Sequence, residues 1–291
     1  MLVISSFNFS LQPSYTSCFY SSKSGFVFTA LLITYVLVLL PLFILVLFVG
    51  YQRWRKLSSG SAAAMNSNSD IFTYNVVVQE MIGICGTGLY CYANYSNKEN
   101  VSMVGIYVFI FISTGQTLFH ILTCVDRYLA VVHPVTYLCL RQTGGVRIRH
   151  IAIICVWLLC IVSLCLTISL GFNFYIISDI LFLTFSFVVV TFCSVSVLCV
   201  LIRPGPGEVG GKRVRTDQSK QRAFYTIITI MGALCVRLLT VLVFDALLNS
   251  SATVYVDNCL VMSATPWISL PSSLVLPLLF LQRGGKLQGC K

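Results

Sequence analysis

The chain reads as an all-α protein, a seven-transmembrane helix bundle with its amino terminus outside and its carboxyl terminus in the cytosol. Two observations predict that class. The 291 residues are 57% hydrophobic and only 10% charged, with a mean hydropathy of +0.89, which is too little polar surface to enclose a soluble core of that size. Apolar windows of about 20 residues, enough for a helix to cross roughly 30 Å of hydrocarbon, recur along the chain. Barrel strands would alternate over about ten residues. These runs are longer and apolar all round, so helices are expected to satisfy the backbone internally.

Span one, 26–50, contains Pro41 and Gly50. The segment before it is rich in Ser, Phe and Tyr, has Lys23 as its one basic residue and shows no cleavage pattern, so span one is expected to act as an uncleaved signal anchor. Span two, 71–93, carries Glu80, and a carboxylate in mid-membrane is a functional-site hypothesis by default. Span three, 102–125, places Gln116, His120 and Arg127 at spacings of four and seven, one inward face of a helix. His120 is expected to be buried and hydrogen-bonded. Span four is 151–171, and a second outer loop is expected over Gly171 to Asp179 before span five, 178–202. Span six, 223–248, holds Arg237 near its centre, where an unpaired guanidinium costs at least about 2.5 kcal/mol. Arg237 is therefore expected to turn inward to Glu80, to Asp245, to carbonyls or to an anionic ligand. Asp245, eight residues on, is about 12 Å along the axis, too far for a direct bond. Span seven, 256–281, contains Pro266, Pro271 and Pro277.

Charge sets the orientation. Of the 19 basic residues only Lys23 and Lys98 fall outside and Arg237 within a span, the asymmetry of the positive-inside rule. The net charge of +10 thus matches anionic inner-leaflet lipid and not nucleic acid. The four Asn-x-Ser/Thr acceptors, Asn8, Asn94, Asn100 and Asn249, all fall in outer segments. The clearest linker, Arg203 through Arg222, joins spans five and six, and opens on helix-breaking Pro and Gly. Of 13 cysteines, Cys18, Cys91 and Cys259 are at the outer side. Cys18 and Cys259 form one candidate disulfide, and Cys91 is expected to be free. Cys290 is a palmitoylation candidate beside basic residues, with an unmodified cysteine as the alternative. No His, Cys and carboxylate set has metal-ligand spacing and no Ser, His and Asp set is placed for hydrolysis, so neither cofactor, metal nor enzyme activity is expected.

The run Cys124-Val125-Asp126-Arg127-Tyr128-Leu129-Ala130-Val131-Val132-His133-Pro134 ends span three. It resembles the rhodopsin-like (class A) G-protein-coupled receptors, whose third helix ends in Asp-Arg-Tyr with a proline seven residues after the arginine. The resemblance implies that Asp126 neutralises Arg127 in a resting state and that Asp126, Arg127 and Tyr128 form the switch that meets a G protein. Asn75 to Glu80 is similar to the family's Asn-Leu-Ala-x-Ala-Asp, with Glu80 in the aspartate's place and Gln116 where a sodium-site serine stands. The longer Glu and Gln side chains fill the volume of such an ion.

Several family residues are replaced. Ser102 stands where a disulfide cysteine is usual, and residues 171–179 contain no partner for one. Leu234-Cys235-Val236-Arg237-Leu238 lacks the tryptophan and proline of the sixth helix, so no kink is expected there. Leu270-Pro271-Ser272-Ser273-Leu274 keeps only the proline of Asn-Pro-x-x-Tyr. Phe109 replaces the aspartate of amine receptors, which argues against a biogenic amine, and Arg237 favours an anion among the ligands left open.

The expected organisation is an extracellular segment 1–25, a receptor domain 26–281 and a short cytosolic tail 282–291, multi-pass in the plasma membrane. The expected function is transduction of an extracellular ligand signal to a heterotrimeric G protein. The alternative is a seven-span binder that does not signal, a scavenger or trafficking partner, favoured by the replaced residues of spans six and seven. A transporter or channel would predict inverted repeats or paired broken helices, which the sequence does not show.

Overall fold

The computed structural model describes residues 22–58, 71–141, 143–202, 212–249, 266–267 and 269–281, and among them there is no strand. Among the described residues six helices are long and apolar enough to cross a membrane, so the chain is a multi-pass, all-helical membrane protein. Helix α1 consists of Ser22–Thr34 and Leu40–Ser58 joined by the π turn Tyr35–Leu39. The others are α2 (Ile71–Tyr95), α3 (Glu99–Val132), α4 (Thr143–Leu170), α5 (Phe172–Ile202) and α6 (Lys212–Asn249), with a short helix Pro134–Arg141 between α3 and α4. A further apolar helix, α7 (Ser269–Leu281), falls below spanning length, and residues 256–265, the first part of the expected seventh span, lie outside the described residues.

Local chemistry explains the interruptions. In the π turn the N–H of Leu40 bonds the carbonyl of Tyr35. The widened turn ends just before Pro41, whose ring would press on the carbonyl four residues back in a regular helix. The second outer loop is a correction to the sequence reading. Gly171, at φ 89°, is the whole connection between α4 and α5. Its left-handed backbone needs no Cβ clearance, and its N–H bonds the carbonyl of Thr167 at 2.9 Å, capping α4. The chain therefore resumes as helix at Phe172, and Asp179 sits two turns inside α5 and not in a loop.

Helix α3 is the centre of the bundle, packed on α2, α4, α5 and α6. Its membrane window is 61% buried, more than that of any other described span. One apolar cluster, including Phe119, Cys124, Val156, Val190 and Ile230, joins α3 to α4, α5 and α6, and a second, including Leu31, Phe43, Tyr90 and Ile110, joins α1, α2 and α3. Small residues set the closest crossing. A Cβ on Gly105 would lie 2.7 Å from Tyr90 Cβ and 2.8 Å from the Gly86 carbonyl oxygen, so α2 and α3 meet backbone to backbone, as membrane helices without a hydrophobic driving force must to gain contact.

The same packing distinguishes two of the candidate glycosylation acceptors. The Asn94 amide nitrogen occupies the space in which a Gly25 side chain would stand, 2.0 Å from the position of that Cβ, whereas Asn100 is exposed at the start of α3. A glycan is attached through that same nitrogen, so one on Asn94 would compete with the Gly25 contact. Asn100→Gln is expected to remove one glycosidase-sensitive mass step from surface protein and Asn94→Gln none. Loss of a step in Asn94→Gln alone would contradict the packing of α1 on α2. Asn8 lies outside the described residues, as does the side chain of Asn249.

Candidate functional site

The inward face of α3 carries more polar groups than the sequence reading assigned. Ser113, Gln116, Thr117 and His120 are all buried, and their spacings of three, four and seven put them on one stripe. Three clusters are built on or beyond that stripe.

The first surrounds Arg237 of α6. Its Nη1 donates to the Ser113 carbonyl oxygen at 3.2 Å and to Thr117 Oγ1 at 2.9 Å. Its Nη2 donates to Asp179 Oδ1 at 3.0 Å and to Ser113 Oγ. The side chains of Arg237 and Asp179 are only 5% and 9% exposed. Burying two charges together is close to neutral against an apolar pair, but stripping one partner from the other costs about 3–5 kcal/mol. Among the partners expected for Arg237 a carbonyl is present, that of Ser113, but the carboxylate is Asp179 and not Glu80. The side chain of Asp245 lies outside the described residues. Sequence reading missed Asp179 because it was placed in a loop. The signal was a lone carboxylate inside the apolar run of α5, which by cost alone demands a cation.

The second cluster joins three helices. Gln116 Nε2 donates to Glu80 Oε1 of α2 and to Ser273 Oγ of α7, the latter at 2.8 Å. Glu80 and Gln116 thus meet as the polar network expected between them. Ser273 is the member that the sequence did not reveal. His120 is buried as expected, 1% exposed, and its ring lies in hydrogen-bond reach of the Ser272 backbone of α7, although neither ring nitrogen meets strict hydrogen-bond geometry among the described residues. It stands one turn along α3 from Gln116. The Ser272 hydroxyl, also buried, likewise meets no such geometry.

The third cluster lies at the Asp126 end of α3. Asp126 Oδ1 accepts from Arg149 Nη2 of α4 at 3.0 Å, a partner that the sequence did not assign. The Arg149 guanidinium also sits 5.5 Å from the centroid of Tyr137 in the short helix, within cation–π range. Tyr128 shares a 3.2 Å hydrogen bond with His133. Asp126, Arg127 and Tyr128 therefore stand at a junction of α3, α4 and the connecting helix. A fourth contact, Trp157 Nε1 to Asn75 Oδ1 at 3.0 Å, ties α4 to α2.

A small cavity of about 20 Å³ opens beside the first cluster, room for one group the size of a water molecule. Asp179, Arg237 and Tyr175 form its polar side, with the Tyr175 hydroxyl 3.3 Å from Ser113 Oγ. Phe109 and Val241 form its apolar side, and Thr240 and Ser269 complete the wall. Of the cysteines, Cys91 is a free thiol, while Cys18, Cys259 and Cys290 lie outside the described residues. Comparison with known proteins finds no family model and no curated protein that matches the chain.

Proposed function

We propose that the chain is a seven-span receptor of the rhodopsin-like type, in the plasma membrane with its amino terminus outside, that couples an extracellular ligand to heterotrimeric G proteins. One observation carries this reading. Helix α3, the most buried of the described spans, bears the Arg237 and Asp179 cavity near its middle and Asp126-Arg127-Tyr128 toward its carboxyl end, with Gln116 and His120 between Ser113 and Asp126. A ligand that prefers one packing of α5, α6 and α7 on α3 then biases what the Asp126 end presents to a partner. In this reading the seventh span runs over 256–281 and the basic loops face the cytosol.

Guanine-nucleotide exchange on G proteins, measured in membranes that contain the chain, tests it. Arg127→Ala is expected to abolish exchange at unchanged surface level. Asp126→Asn, which weakens the Arg149 contact, is expected to raise basal exchange severalfold, since about 1.4 kcal/mol shifts a two-state population tenfold while the active state is rare. Wild-type protein that binds a ligand at the surface yet drives no exchange on any G-protein class would leave a binder that does not signal. That second reading has its own support: α6 is one continuous helix without proline, fastened through Arg237 to α3 and α5.

A further inference from the structure

We propose that the cavity beside Asp179 selects a neutral ligand that donates a hydroxyl or amide proton, in preference to an amine or a carboxylate. This names the ligand class of the receptor reading and rests on it for its biological meaning. A guanidinium presents five N–H donors. Arg237 spends both of its terminal nitrogens on Ser113, Thr117 and Asp179, so an arriving anion finds those donors taken and meets the Asp179 carboxylate in the same wall. The anion that Arg237 favoured on sequence grounds is therefore disfavoured by its geometry.

An arriving ammonium group meets the guanidinium instead. Either charged ligand adds an unbalanced charge where the pair is already neutral and almost wholly buried, and burial penalises such a charge heavily. A hydroxyl or amide N–H adds none. The wall offers it acceptors: an ionised carboxylate carries about four lone-pair sites, more than the one bond from Arg237 Nη2 to Asp179 Oδ1 uses, and the Thr240 hydroxyl donates to the Val236 carbonyl at 2.8 Å, which leaves its lone pairs toward other donors. The cavity admits one polar group of the size of water. The donor thus enters while the ligand's body lies against Phe109 and Val241.

The test uses the full chain in lipid nanodiscs and three probes of one shape: cyclohexanol, cyclohexylamine and cyclohexanecarboxylate. Saturable shifts of the melting temperature report binding. Cyclohexanol is expected to bind at least about tenfold tighter than either charged probe, the return from one hydrogen bond to a charged group. Val241→Phe, which fills the cavity and leaves the ion pair untouched, is expected to abolish that shift. Binding of a charged probe as tight as that of the alcohol, no binding of any probe, or alcohol binding retained in Val241→Phe would each overturn the proposal. No G protein takes part in the measurement. A selective alcohol site without exchange would sink the receptor reading alone, and exchange driven by a carboxylate or amine would sink the ligand class alone.

Discussion

Asp179→Ala is expected to deplete the folded protein at the cell surface, with a loss of about 3–5 kcal/mol, the cost of leaving one member of a buried ion pair alone. Arg237 would keep its bonds to Ser113 and Thr117, but these are neutral acceptors and do not balance its charge. Thermal unfolding in detergent, followed by a thiol-reactive dye that reports exposure of buried cysteines such as Cys124 and Cys160, reads the loss directly. The double variant Asp179→Leu with Arg237→Met is the counterpart. Replacing the pair by apolar side chains is near neutral by the same reasoning, so it is expected to melt within a few degrees of wild type. If the single variant is as stable as the double, the pair is not the tie between α5 and α6 that the geometry describes.

Gly105→Val is expected to destabilise the fold by a different route. Its new Cβ would sit 2.7 Å from Tyr90 Cβ and 2.8 Å from the Gly86 carbonyl oxygen. Backbone at such a crossing cannot swing away like a long side chain, so α2 and α3 must separate. Overpacking of a well-filled interior costs about 1–3 kcal/mol and sometimes more. Here the separation also strains the bond between Glu80 and Gln116. Gly88→Ala is the control, because nothing lies within 4 Å of its Cβ and alanine favours a helix interior by about 1 kcal/mol over glycine. The same unfolding measurement should show Gly105→Val well below wild type and Gly88→Ala at or slightly above it. A Gly105→Val protein with unchanged melting would contradict the close crossing.

Helices were legible in the sequence because membrane length and hydropathy are local properties. The buried face of α3 was legible in part. Gln116 and His120 declared themselves as polar residues inside an apolar run, and their period placed them together. Ser113, Thr117 and Ser273 did not, since small hydroxyl residues occur throughout membrane helices and satisfy themselves on the preceding turn, as Thr114 does on the Ile110 carbonyl. Pairings between helices were the least legible. Asp179 was misplaced because the turn between α4 and α5 was read as nine residues long, and the single left-handed Gly171 made it one. The partner of Asp126 was hidden for a related reason: Arg149 counted as one basic residue among many near a membrane surface, and only the packing of α4 on α3 distinguishes it.

The fastening of α6 at Arg237 has a mechanical consequence. The helix is 38 residues long, and at 1.5 Å per residue Arg237 divides it into arms of about 18 Å toward Asn249 and about 37 Å toward Lys212. A helix that tilts as a rigid rod about such a fulcrum moves its two ends in opposite directions, and the longer arm travels about twice as far. A displacement of 1 Å near Asn249 thus becomes roughly 2 Å near Lys212. In this see-saw the leverage comes from the position of the buried arginine, and no bend in the rod is required.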